Sequence, residues 1–180
     1  MLILREVQGK YRQSKLVFLW AIIPPILQMF IFTIIFGKVA RLGPENIPYP
    51  IFSYAALLPW LYFTRALSGA ATSVVGKGVL INKVYFPRLI LPLTGVFAAL
   101  VDLVMASTIM GGIMIWYRVT PGWGIIMVPA FILLAMITAL GVGMWLTALH
   151  VKYRDVGFVT PFLIQMWMYV TPVIYSIDKI

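Results

Sequence analysis

Five long apolar runs, over residues 16–37, 51–75, 89–116, 124–149 and 158–175, constrain this chain more than any other feature of it. A helix rises about 1.5 Å per residue and needs roughly 20 residues to cross a hydrocarbon core of about 30 Å; the first four runs exceed that and the fifth barely reaches it. Hydrophobic residues make up 62% of the chain and charged ones 11%, against about 25% charged in soluble domains. A soluble globule is excluded on that ground. The expected fold is all-α: a single polytopic membrane domain over 1–180, with an N-terminal interfacial helix and five transmembrane helices.

The segments between the runs add detail. Over residues 1–15, Ile3, Val7 and Tyr11 recur at four-residue intervals with Arg5, Glu6, Gln8, Lys10, Arg12 and Gln13 on the other sides, the pattern of a helix lying along the interface. The run that begins at Leu16 is too long for a signal peptide and no small-residue cleavage site closes it, so the first span is expected to stay in the mature protein. Pro24 and Pro25 should kink it. The latter half of the second span, Ser68-Gly69-Ala70-Ala71-Thr72-Ser73, must pack on protein rather than lipid, and Gly111-Gly112 and Gly141-Val142-Gly143 read as close helix packing. Trp116 and Tyr117 end the third span at an aromatic interface.

Charge sets the orientation. With five spans, one side holds Arg5, Lys10, Arg12, Lys15, Lys77, Lys83, Arg88, Lys152 and Arg154, and the other Lys38, Arg41, Arg118 and Lys179. The richer side is cytoplasmic, which puts the N-terminus and the loops at 76–88 and 150–155 there. The net charge of +9 is thereby read as orientation and contact with anionic membrane lipids; no nucleic-acid partner is expected. In the first of these loops, Asn82-Lys83-Val84-Tyr85-Phe86-Pro87-Arg88 mixes cations, aromatics and a proline, as suits contact with a soluble partner.

Catalytic chemistry finds little to work with. The chain has no cysteine and a single histidine, His150; of its five acids, Glu6, Glu45, Asp155 and Asp178 are scattered over loops on both sides, so no acid-base pair and no metal site can be assembled. The Gly76-Lys77 step is followed by Gly78 rather than Ser or Thr, and Ala71 stands where a phosphate-cradling loop has glycine. If ATP drives this protein, another chain hydrolyses it, and this one binds no cofactor. Arg65 and Asp102 are the charges well inside the spans, at similar depth, and read either as a pair tying two spans together or as part of a transport route. Phe162, Met166 and Tyr169 share a helical face with Gln165 beside them; that face is core packing, an interfacial aromatic belt or, with Gln28 of the first span, the wall of a path that contacts sugars.

In their order, several motifs resemble the permease subunits of bacterial ABC exporters for polysaccharides and polyol phosphates, the O-antigen, capsule and teichoic acid exporters. They are Tyr11-Arg12-Gln13-Ser14 before Leu19-Trp20, Phe32-Thr33-Ile34-Ile35-Phe36-Gly37, Leu57-Leu58-Pro59-Trp60, Lys83-Val84-Tyr85-Phe86-Pro87-Arg88 before Leu91-Pro92, Tyr153-Arg154-Asp155-Val156, and Thr171-Pro172-Val173-Ile174-Tyr175. The resemblance implies a homodimer in the bacterial cytoplasmic membrane, a cytoplasmic ATP-binding subunit beside it, and a lipid-linked glycan passing between protomers. It further implies that Val79, Leu80, Ile81, Asn82, Lys83, Val84 and Tyr85 couple to the ATPase, and that the first and fifth spans line the path, with Trp20, Gln28, Phe162, Gln165, Met166 and Tyr169 as its candidate residues. Family members continue through a re-entrant segment and a sixth span, so the chain is expected to be truncated at Ile180. Two other classes stay open on the residues alone: an ion- or proton-driven carrier, which would use Asp102, and a membrane-embedded glycosyl- or acyltransferase, which would need His150.

Overall fold

A computed structural model describes residues 16–39, 47–76, 90–153, 155–171 and 173, with backbone alone at 16–21, 39 and 76. Helix α1 is Leu16–Phe32 and runs into a π-helical stretch, Thr33–Val39; α2 is Tyr49–Gly76 and α3 is Ile90–Trp116. A 3-10 turn, Trp123–Met127, leads into α4, Val128–Lys152, and α5 is Val156–Val170. No strand occurs among the described residues.

Apolar content and position in the bundle run opposite to each other. Ile90–Trp116, with mean hydropathy 2.0, and Trp123–Lys152, with 2.6, are long and apolar enough to cross a membrane unaided. Helix α2 matches them in length at 28 residues yet carries Ser53, Thr64, Arg65, Ser68, Thr72 and Ser73 along it. It is nevertheless the centre of the bundle, in contact with α1, α3, α4 and α5. Protein surrounds its middle, where Tyr54, Leu57, Tyr62, Ala66 and Ala70 are all buried. The lipid-like helices surround the helix least suited to lipid, because small and hydroxylic residues let backbones approach and bond where tails offer nothing in exchange.

Three contacts hold this centre. At the crossing of α2 and α3 the backbones meet at Gly69 and Gly95, so near that a methyl on Gly95 would stand 2.7 Å from the Gly69 carbonyl carbon. Higher on the same pair, the buried Tyr54 hydroxyl donates to the Ala106 carbonyl at 3.1 Å. Helix α4 meets α2 at Ala70, whose methyl lies where a side chain on Gly143 would go. There the Thr147 hydroxyl lies 2.7 Å from the Ala70 carbonyl oxygen and 2.8 Å from that of Gly143, sharing one proton between them. Tyr62, Ala66, Ala70, Val96, Ala99, Leu103 and Ala139 fill the space between these three helices.

A second, smaller cluster joins α1 and α5 to the other side of α2, through Leu57, Met168 and Val173 with Met29, Phe32, Phe36 and Trp60. Pro24 and Pro25 lie inside α1, where each lacks the N–H that would bond the preceding turn. The wider winding begins at Thr33, whose hydroxyl donates back to the Met29 carbonyl at 2.7 Å, a side-chain bond that loosens the backbone ladder. Gly37 then receives the Tyr49 ring, since a Cβ there would come within 2.9 Å of its Cγ.

Two expectations meet a different arrangement. The fifth helix ends at Val170 rather than at 175: Thr171 is extended, at φ −86° and ψ 137°, as a residue before proline prefers, and Pro172 follows it. Of the glycines read as packing sites, Gly143 packs closely, but Gly111, Gly112 and Gly141 have, among the described residues, no neighbouring atom within 4 Å of a side-chain position.

Candidate functional site

Arg65 of α2 and Asp102 of α3 form an ion pair, with Arg65 Nη1 3.2 Å from Asp102 Oδ2. At about 1.5 Å per residue, both lie roughly 15 to 20 Å from the Gly76 and Ile90 ends of their helices, near mid-span. The carboxylate is 4% exposed and the guanidinium 30%, so the acid is enclosed and the cation reaches outward. An isolated charge at such depth is costly, and pairing offsets the cost. A cavity of about 10 Å³ adjoins the pair, lined in part by Pro25, Tyr62, Arg65 and Asp102. That is the room of one water molecule. The Tyr62 hydroxyl is buried with no hydrogen-bond partner among the described residues. Where α1 carries a proline in place of a backbone donor, α2 and α3 thus bring a charge pair and a phenol.

The candidate path residues divide by face. On α5, Thr160, Ile164 and Met168 are buried at four-residue spacing, Met168 beside Leu57 of α2, and Trp167 meets Phe63 edge-on with ring centroids 6.0 Å apart. The opposite face carries Phe162, Met166 and Tyr169, each more than half exposed, and Gln165 is exposed with them. Helix α1 has a matching outer face at Leu27, Phe30 and Ile31. Gln28, half-buried, does not meet Gln165 but turns to α5 from the inside, its Nε2 4.0 Å from Met168 Sδ. The side chain of Trp20 and all of Val79 to Tyr85 lie outside the described residues.

Sequence reasoning passed over two contacts near the other end of α4. His150 Nδ1 is 3.3 Å from the Ala71 carbonyl oxygen, and its imidazole covers Gly157 so closely that a side chain there would collide with Nε2. The ring joins α2, α4 and the first turn of α5. A lone histidine next to a glycine seven residues on, across a loop, was the only signal in the sequence. Beside it, the Lys152 ammonium lies 5.2 Å from the centre of the Tyr153 ring.

Apolar helices wrapped about one polar-bearing helix, with an ion pair at mid-span, define a multi-pass membrane protein. The chain belongs to the ABC-2 type transporter family, whose membrane-domain pattern it matches over residues 1–180. It is 32% identical over 180 residues to an O-antigen export system permease protein, RfbA, of Myxococcus xanthus, covering 99% of this chain and 68% of the relative. A protein of the same name from Klebsiella pneumoniae is 27% identical, at 98% and 68% coverage. The polysialic acid transport protein KpsM of Escherichia coli is 27% identical over 81 residues, covering 45% of this chain and 31% of the relative.

Proposed function

We propose that this chain is the membrane subunit of an ATP-driven exporter that carries a lipid-linked polysaccharide or polyol phosphate across the bacterial cytoplasmic membrane. The observation that carries this reading is the likeness, along nearly the whole chain, to permeases named for O-antigen export. Two features of the chain support it. The sequence has no phosphate-cradling loop, so hydrolysis falls to a separate cytoplasmic subunit. The outer faces of α1 and α5 are broad, apolar and, on α5, aromatic, which suits two copies placed face to face with a glycan moving between aromatic walls.

The mechanism is mechanical. The N-terminus and residues 76–88 face the cytoplasm, and ATP-driven closure of the partner subunits presses on the stretch from Val79 to Tyr85. That stretch joins α2 to α3, which are locked at Gly69 and Gly95, so a push moves both helices and α4 with them. Helices α1 and α5, bound to α2 through a smaller cluster, shift against this block and open the interface. The test is to replace residues 79–85 by a Gly/Ser segment in the full-length protein and to follow ATPase co-purification and surface glycan. Loss of the ATPase and of export, with the permease still in the membrane, is expected; retention of both overturns the coupling role.

A further inference from the structure

We propose that the cleft between α2, α3 and the start of α4 is a binding site for one acyl chain of an anionic phospholipid, whose phosphate is held by Arg118. The cleft has a volume of about 640 Å³. It lies at the end of the bundle where α3 turns into α4, and its walls include Leu58, Met110, Met114, Ile125 and Phe131. Gly111 and Gly124 form part of the lining, and neither has an atom of the described residues within 4 Å of a side-chain position. These glycines make room there, whereas Gly69 and Gly95 allow helices to touch.

Three observations select the occupant. First, chemistry: of the residues that line the cleft only Ser107 has a polar side chain, so its walls suit a hydrocarbon chain. Second, depth: Trp116 and Trp123, among the most exposed side chains of the molecule, flank the turn as interfacial anchors and place the mouth of the cleft at headgroup level. Third, charge: between Leu103 and Ile132 the sequence has one charged residue, Arg118. Arg118 is exposed and stands in the turn between two residues that line the cleft, Met114 and Pro121. Its backbone is left-handed, at φ 54°, and its N–H donates to the Ile115 carbonyl at 3.2 Å.

Tail burial cannot by itself select a lipid, because bilayer tails are as apolar as the cleft. The guanidinium supplies the discrimination, since charge-assisted bonds to phosphate outweigh those to neutral groups. This inference does not depend on what the protein exports.

The test uses the full-length protein in nanodiscs of mixed phosphatidylglycerol and phosphatidylethanolamine, read by native mass spectrometry. One phosphatidylglycerol retained per chain is expected. Gly111→Phe, which fills the cleft, should lose it; Arg118→Gln should lower the preference for it about tenfold, and Arg118→Lys should keep most of that preference. Should Gly111→Phe misfold, a photo-crosslinking residue at position 111 gives a second reading, with a lipid adduct expected. Retention of the lipid in Gly111→Phe, equal retention of both lipids by the unaltered protein, or a crosslink to a protein segment or to the exported lipid-linked substrate would each overturn the proposal.

Discussion

At the scale of single residues, the ion pair of Arg65 and Asp102 is the most consequential contact in the bundle. Its geometry makes the two partners unequal. The carboxylate is enclosed and the guanidinium is partly exposed, so removing the arginine takes the opposite charge from a buried acid, while removing both leaves an apolar contact between helices that already pack. Breaking such a pair from one side costs about 3 kcal/mol or more, and replacing both partners by apolar side chains is often close to neutral. Arg65→Met should therefore lower the thermal midpoint of the detergent-solubilised protein strongly, and Arg65→Met with Asp102→Leu should recover most of the loss. A double variant as unstable as the single one would show that the pair is not the source of the effect. Both members were legible in the sequence, because a charge in an apolar run stands out and equal depth on neighbouring helices is a matter of counting.

At the scale of elements, the helices were legible and their contacts only partly so. The expected runs fall on the observed helices because hydropathy reports which segments leave water, and leaving water obliges a backbone to bond to itself. What hydropathy cannot report is which side of a helix meets a neighbour. Gly95 and Gly112 are both glycines of α3, one near each end of the helix, yet the first touches the backbone of α2 and the second meets no atom of the described residues within 4 Å of a side-chain position. Their replacements should have opposite signs. Gly95→Ala forces a methyl against the Gly69 carbonyl and should destabilise by about 1 to 3 kcal/mol, whereas Gly112→Ala meets no neighbour and should stabilise by up to about 1 kcal/mol through helix propensity. Thermal unfolding of the two variants in one detergent checks this. The end of α5 was missed for a related reason: apolar composition continues through Val173 and Ile174, but Pro172 constrains the residue before it and the helix closes at Val170. Gln28 and Gln165 show the same limit for the candidate site, since both are polar groups in apolar runs but they face different surroundings.

At the scale of the whole molecule, α1, α4 and α5 all carry exposed apolar faces, and the proposed dimer uses those of α1 and α5. If two copies meet there, Met166, more than half exposed on α5, should lie near its counterpart. The chain has no cysteine, so Met166→Cys is a unique probe: oxidation in native membranes should give a disulfide-linked dimer, and Ile137→Cys, on the exposed side of α4, should not. The reverse result would move the interface to α4. The burial of α2 also bears on how the chain is made. Its arginine carries a penalty of about 2.5 to 3.5 kcal/mol at mid-helix during insertion, and the acid that relieves it lies on α3, which is synthesised afterwards. Integration of the second helix is thus tied to arrival of the third: the helix at the centre of the finished bundle is the one that must wait, at the mouth of the translocon, for its neighbour to bring it into lipid.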